Sequence, residues 1–236
     1  MPRVAAVGDV HGPRYIKLLN ASLSKLSNVS LLLLAGDMVD KGAAHHCKLV
    51  LSRIRSVYRG PIIGIFGNEE YDERKSEIAR LCNDVKWLDD ELEVVEVEGC
   101  KVAVVGTRGV LDRPTRWQLR NIPGIRELYR SRLSAIESLL KQARLVADCT
   151  ILLTHYAPIC RTLEGENERI WSQLGSRRLT RLILRLKPDI VVHGHAHNSR
   201  RPVVRLGDTV IYNVALPAVE EITVMAVGPR GLSAFF

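Results

Sequence analysis

Aromatic residues are scarce in this chain: three Trp, three Phe and six Tyr make up only 5% of its 236 residues. A protein that stacks successive bases of a single strand needs several exposed rings, so that class of binder is disfavoured. Long apolar runs are also missing. The longest purely aliphatic stretch is "LLLL" at 31–34, far short of the ~20 residues that span a bilayer. Five cysteines (47, 82, 100, 149 and 160) form no C-x-x-C pair and no zinc-ribbon spacing. An odd, scattered set reads as buried thiols in a reducing compartment, and only a hyperthermophilic source would argue for a disulfide. There is no internal repeat, low-complexity tract or Gly/Ser linker, and "MPRVAAVGD" runs into strand-like sequence without a secretory leader. These absences predict a cytoplasmic protein with no membrane segment, folded as one domain over residues 1–236.

Charge is what the chain has in excess. Its 34 Lys and Arg outnumber 26 Asp and Glu, for a net charge of +8. That balance favours anionic partners such as a phosphorylated small molecule, a nucleotide or nucleic acid, and it equally describes a solvated basic surface. A nuclease would need an extended basic groove, and no added DNA-binding domain is legible. Nucleic acid therefore ranks behind a small phosphorylated ligand.

Apolar, β-rich runs recur at 3–7, 31–35, 62–66, 101–105, 150–154 and 189–193. Near-continuous apolar strands are those covered on both faces. Amphipathic helical patterns fall between most of them, at 13–27, 43–58, 72–82, 125–147 and 175–187. This alternation predicts an α/β protein with helices outside the sheet. Beyond residue 200 the helical patterns stop. Segments 202–206, 209–215, 220–226 and 231–235 read as strands, which predicts a second, largely antiparallel sheet packed on the first.

Five of these runs end in polar residues of one chemical kind. They give "GDVHG" (Asp9, His11), "GDMVDKG" (Asp37, Asp40, Lys41), "GNEE" (Asn68, Glu69, Glu70), "THYAP" (His155) and "HGHAH" (His193, His195, His197). Ligands of open α/β sheets collect beyond the carboxyl ends of strands, so groups this far apart in sequence can converge. Each motif alone is weak, since Gly-Asp after a strand is commonly a turn. The set in order is not: two carboxylates, one amide and four imidazoles exceed the needs of one tetrahedral ion. With one carboxylate bridging, they suit two adjacent ions. Donors of this kind without thiolate fit Mn, Fe, Zn, Co or Ni, and they suggest neither Ca nor a closed structural zinc site. Two such ions, about 3.5–4 Å apart, clamp attacking and leaving oxygens in phosphoryl displacement.

The ordered series GD-x-H, GD, GN, H and GH-x-H, from Asp9 to His197, resembles the calcineurin-like metallophosphoesterase superfamily. The resemblance implies a four-layer α/β/β/α sandwich of two mixed β-sheets flanked by helices. It also implies that Asp9, His11 and His197 hold one divalent metal, that Asn68, His155 and His195 hold a second, and that Asp37 bridges them. Manganese is the first choice of metal. The implied reaction is hydrolysis of a phosphate ester by in-line attack of a metal-bound hydroxide, with no covalent enzyme intermediate. His193 lies outside the implied ligand set and reads as a buried or supporting histidine. "GDMVDKG" also resembles a block of the protein phosphatase branch in which an arginine contacts phosphate. Here Lys41 would supply a point charge, and Arg14 is a second candidate phosphate contact. His45 and His46 read as helix surface.

The third block departs from its family, whose usual Gly-Asn-His-Asp/Glu histidine stabilises the transition state and protonates the leaving oxygen. Glu69 stands in that place, followed by Glu70 as the usual closing acid. Three readings are open. Glu69 turns away as a helix-start residue, leaving substrates with good leaving groups. Alternatively, Glu69 shares a proton with a neighbouring Asp40 and acts as the acid. Otherwise catalysis is lost, and the chain is a non-catalytic, metal-binding interaction scaffold. A complete ligand set favours the enzyme, with diesters slightly ahead of monoesters. Two irregular segments, 107–124 (with Arg108, Arg113, Arg116 and Arg120) and 161–175, are expected to rim the site.

Overall fold

The computed structural model describes residues 1–228; the strand expected at 231–235 lies outside the described residues. In chain order, β1 (Arg3–Val7) leads through α1 (Ile16–Ser22) to β2 (Leu31–Leu34), then α2 (His45–Arg55), β3 (Ile62–Ile65), α3 (Lys75–Leu81) and β4 (Lys86–Leu88). A hairpin of β5 (Glu91–Val97) and β6 (Cys100–Thr107) follows, then α4 (Arg116–Asn121), the long α5 (Ile125–Val146) and β7 (Cys149–Thr154). The short strands β8 (Ala157–Pro158) and β9 (Gly175–Ser176) flank α6 (Trp171–Leu174). The chain continues through α7 (Arg177–Leu186), β10 (Ile190–His193), β11 (Val203–Leu206), β12 (Thr209–Asn213), α8 (Leu216–Val219) and β13 (Thr223–Ala226).

Two mixed sheets result, ordered β13-β1-β2-β3-β4 and β11-β12-β10-β7-β6-β5. Most of their strands are parallel: β1, β2, β3 and β4 in the first, with β4 at its edge, and β6, β7, β10 and β12 in the second. Antiparallel partners, β13, β11 and β5, close the other three edges. Alternation within the apolar runs explains the layering. Leu31 and Leu33 point into a core between the sheets with Val102, Val104, Ile151, Leu153 and Val192, whereas Leu32 and Leu34 face α1–α3. On the far side, Ala103, Val105, Leu152 and Val191 pack against Tyr129, Ile136 and Leu140 of α5 and Leu179 and Ile183 of α7. Side chains two apart share a face, so one unbroken hydrophobic strand feeds two cores. The expected α/β/β/α sandwich is the observed fold.

The tail corrects the strand-periodicity expectation. Among the described residues, those after 200 build no sheet of their own: β11 and β12 extend the second sheet, while β13 pairs with β1 in the first. They are not all strand either, because α8 interrupts them with Pro217 in its first turn, a position where the missing N–H costs nothing. The strands β4 and β5 escaped the pattern reading. β5 is an edge strand whose Glu91, Glu93 and Glu96 interrupt its apolar residues, and charge on an edge blocks pairing with another chain. It turns into β6 at Glu98 and Gly99, both at positive φ, as a tight hairpin requires.

Candidate metal centre

The candidate residues gather at the carboxyl ends of β1, β2, β3, β7 and β10. Asp9, His11 and His197 form one group of donor atoms within 4.8 Å of one another, and Asp9, Asp37, His155 and His195 form another. Asn68 joins the second through its Oδ1, 3.0 Å from His155 Nε2. One oxygen connects the groups: Asp37 Oδ2 lies 3.8 Å from His11 Nε2 and 3.4 Å from His155 Nε2. Asp9 contributes to both groups, more than the resemblance assigned to it.

Backbone chemistry sets this convergence. A Cβ on Gly67 would collide with the Asp37 carboxylate, and one on Gly194 with that of Asp9, so the glycines of "GN" and "GH" let chain and carboxylate touch. Asp9, His11, Asp37 and His195 all adopt positive φ, between 42° and 68°. Such conformations are costly for residues with a side chain and concentrate at functional sites. Positive φ at His195 also turns the chain within "HGHAH", just past the end of β10.

Supporting hydrogen bonds aim the rings. His155 Nδ1 donates to the Ala35 carbonyl at 3.0 Å, leaving Nε2 to face Asn68 and Asp37. His193 differs, because Nδ1 donates to the Gly194 carbonyl and Nε2 accepts from the Thr162 hydroxyl, both at 2.8 Å. Both of its nitrogens are occupied by protein. Glu70, fully buried, accepts from the amides of Asp37, Met38, Val39 and Gly67 at 2.7–3.1 Å, tying the β2 loop to the β3 loop.

The donors call for a cation. His11 is 5% exposed, and neither ring nitrogen has a hydrogen-bond partner, although Nε2 faces two buried carboxylates. A buried imidazole left so is costly unless a ligand completes it. Titration carries the same message. Burial works against a His155 imidazolium, yet the Asp37 carboxylate and then Asp9 carry its pKa up to about 9. Burial would raise Asp37, but His155 and His11 hold it below the usual carboxylate range. Burial, then His155, push His195 down to about 3, so it presents the neutral imidazole that binds metal. A protonated histidine thus balances the acids where a divalent ion would serve, and the all-oxygen-and-nitrogen donor set fits such an ion.

The remaining candidates occupy the surroundings. Asp40 Oδ1 stands 3.7 Å from His11 Nδ1, on the side of the ring away from Asp37. Glu69 does not turn away: it lines a cavity of about 300 Å³ that shares Asn68 and His195 with the donor cluster. Its Oε2 accepts from the Lys41 amide at 2.7 Å and its Oε1 from Asn68 Nδ2 at 3.3 Å. Lys41 and Arg14 are exposed and line no part of this cavity; the Arg14 guanidinium lies 5.1 Å from the Tyr15 ring centre. His45 is exposed on α2 and His46 half-buried beside it, with ring centres 4.2 Å apart.

Of the four arginines expected to rim the site, Arg113, Arg116 and Arg120 are exposed, while Arg108 lines the cavity with 11% of its side chain accessible. Arg108 Nη2 bonds the Glu70 carbonyl at 2.9 Å and Asp72 at 3.1 Å, and its buried Nε has no partner. Nothing in its sequence position separates it from the other three. Tyr156 was also missed as a wall residue, although it follows His155 directly.

A two-sheet α/β sandwich with a buried oxygen-and-nitrogen donor cluster at its strand ends defines the metallophosphoesterase class. The chain belongs to the calcineurin-like phosphoesterase family, whose profile matches residues 2–199. Members of this family use divalent metals. No curated protein matches the sequence. Among solved structures the fold is similar to phosphopantetheinyl hydrolase (PptH) from Mycobacterium tuberculosis, with TM-score 0.74 and 14% identity over 97% of both chains. A putative 5'-nucleotidase from Staphylococcus aureus gives TM-score 0.63 and 14% identity over 96% of this chain and 51% of its own. GAP50, the anchor in the inner membrane complex of Plasmodium, gives 0.61 and 16% over 98% of this chain and 74% of its own. Among the described residues, no helix is long and apolar enough to cross a membrane.

Proposed function

We propose that the chain is a binuclear-metal-dependent phosphoesterase acting on a phosphorylated small molecule or nucleotide, with diesters slightly preferred. The observation that carries this reading is the place of Asp37 Oδ2 between His11 and His155, which joins two donor groups through one carboxylate. Asp9, His11 and His197 would hold one divalent ion, Asn68, His155 and His195 the other, and Asp37 both; manganese is the first choice, then iron, zinc, cobalt or nickel. When bound, such ions offset phosphate charge and lower the pKa of coordinated water.

The chain's own groups orient the reactants. Ala35 and Glu70 fix the donors, while the Asp40 carboxylate faces His11 Nδ1 at 3.7 Å, beyond hydrogen-bond distance. Arg108 presents a cation on the cavity wall. Both Glu69 oxygens act as acceptors, from the Lys41 amide and from Asn68 Nδ2, and the role we assign to Glu69 is to orient the Asn68 amide rather than to donate a proton. The leaving group must then depart on its own acidity, which favours activated esters and places diesters ahead. Lys41 and Arg14 would at most attract phosphate from the surface.

A specific observation also favours a second reading. Glu69 replaces the expected acid, and GAP50 shows that this fold also serves as an anchor. One assay separates the two. Purified chain loaded with Mn, Co, Ni or Zn is offered bis-aryl and aryl phosphate esters, and turnover abolished by chelation is expected. Failure with every metal and ester would establish the scaffold.

A further inference from the structure

The cavity beside the donor cluster has a mixed lining. Asn68, Glu69 and His195 join it to the cluster, and Leu111, Ile122, Trp117 and Tyr156 add apolar and aromatic wall, the Tyr156 ring 5.0 Å from that of His195. Aromatic residues make up 5% of the chain, yet Tyr71, Trp117 and Tyr156 all line this cavity. Trp117 is 60% exposed, a large ring left in water at the mouth of a site. Its helix is nonetheless fixed. Thr115 and Gln118 form a capping box at the start of α4, and Gln118 Nε2 donates to the Tyr156 hydroxyl at 3.0 Å. On the same wall, Arg108 keeps a buried Nε without a partner.

We infer that this cavity binds an uncharged aromatic ring carried by the substrate's phosphate ester, with Trp117 and Tyr71 as ring contacts and Arg108 beside the phosphate; the inference rests on the phosphoesterase reading above. A preset ring stacks on a ligand ring at little entropic cost, and such contacts are worth most where water is excluded. The volume, about 300 Å³, lies at the small end of ligand sites and admits one aryl or nucleoside group, not a polymer strand. Aryl and nucleoside esters share this chemistry.

The test is calorimetric binding of non-hydrolysable phosphonates to the metal-loaded chain. Phenylphosphonate and a nucleoside methylenephosphonate are each compared with methylphosphonate, which carries the same anionic head without a ring. At least one ring-bearing ligand is expected to bind about tenfold tighter than methylphosphonate, and the tighter of the two names the source of the ring. Trp117→Ala should reduce that ratio at least about threefold, and Trp117→Phe should restore most of it. Equal affinities for all three ligands, or a ratio indifferent to Trp117→Ala, overturn the inference and leave the phosphoesterase reading standing. If no phosphonate binds, that reading fails and the inference fails with it.

Discussion

The Glu70 carboxylate accepts the Asp37 amide at 2.8 Å, so the acid that closes "GNEE" positions the acid placed between the two donor groups. Three further amides converge on the same carboxylate, from Met38, Val39 and Gly67. Burial, and then the Asp37 charge, raise the Glu70 pKa even against these donors. Glu70→Gln turns one acceptor into an NH₂ group that faces N–H donors. Leaving buried donors unsatisfied should cost on the order of 3 kcal/mol of stability and weaken metal binding as well. Denaturant unfolding of the metal-free chain measures the first effect. An unchanged midpoint would show that these bonds contribute nothing net.

Metal loading should release protons. The metal-free His155 titrates near 9, so at pH 7.5 it carries a proton that a ligating nitrogen must lose. Calorimetric titration in two buffers of different ionisation enthalpy should show about one proton released from His155 per fully loaded chain. Affinity should rise toward pH 9 and then level. The sign for stability follows from a raised folded pKa: the metal-free chain has this stabilisation in full below about pH 6.5 and loses it as pH rises through about 9. Equal binding enthalpies in both buffers would show that His155 is already neutral.

His193 supplies the opposite sign. Burial pushes its pKa down to about 4, with both ring nitrogens spent on Thr162 and Gly194. A depressed folded pKa contributes stability above the unfolded value near 6.5, lost as pH falls toward 4. The difference corresponds to about 3 kcal/mol. Comparing melting curves of wild type and His193→Gln between pH 7 and pH 4 should show a shallower acid dependence in the variant. Parallel curves would assign the acid sensitivity to other groups.

Much of this architecture is legible because its causes are local. Four consecutive leucines among short, recurring apolar runs fit a strand buried on both sides, and Leu31 to Leu34 alternate between two cores. The donor set is legible because metal chemistry restricts residue types and strand ends bring them together. What escaped depends on partners distant in sequence. Nothing in "TRGVLDRPTRW" says that Arg108 turns inward to the Glu70 carbonyl while Arg113 stays outside. Strands do fall within the tail runs 202–206, 209–215 and 220–226, but their division between two sheets depends on β1 offering a free edge to β13. Glu69 was ambiguous for the same reason, since its partners are the Lys41 amide and the Asn68 side chain.

The Glu69 exchange yields the sharpest kinetic expectation. An acceptor on both oxygens orients Asn68 but gives no proton to a leaving alkoxide, so wild type should cleave aryl esters far better than alkyl esters. Glu69→Gln retains a carbonyl oxygen toward Asn68 or Lys41 and should keep the shape of the pH–rate profile while losing some rate. Glu69→His places an imidazole donor at this position, and general acids typically contribute about 10²–10⁴-fold. The histidine variant should therefore gain at least about tenfold on an alkyl ester while changing little on an activated aryl ester, narrowing the ratio between them. The profile of Glu69→Gln decides the matter: if its alkaline limb disappears while wild type has one, the carboxyl carries the proton after all, and Glu69 is the general acid.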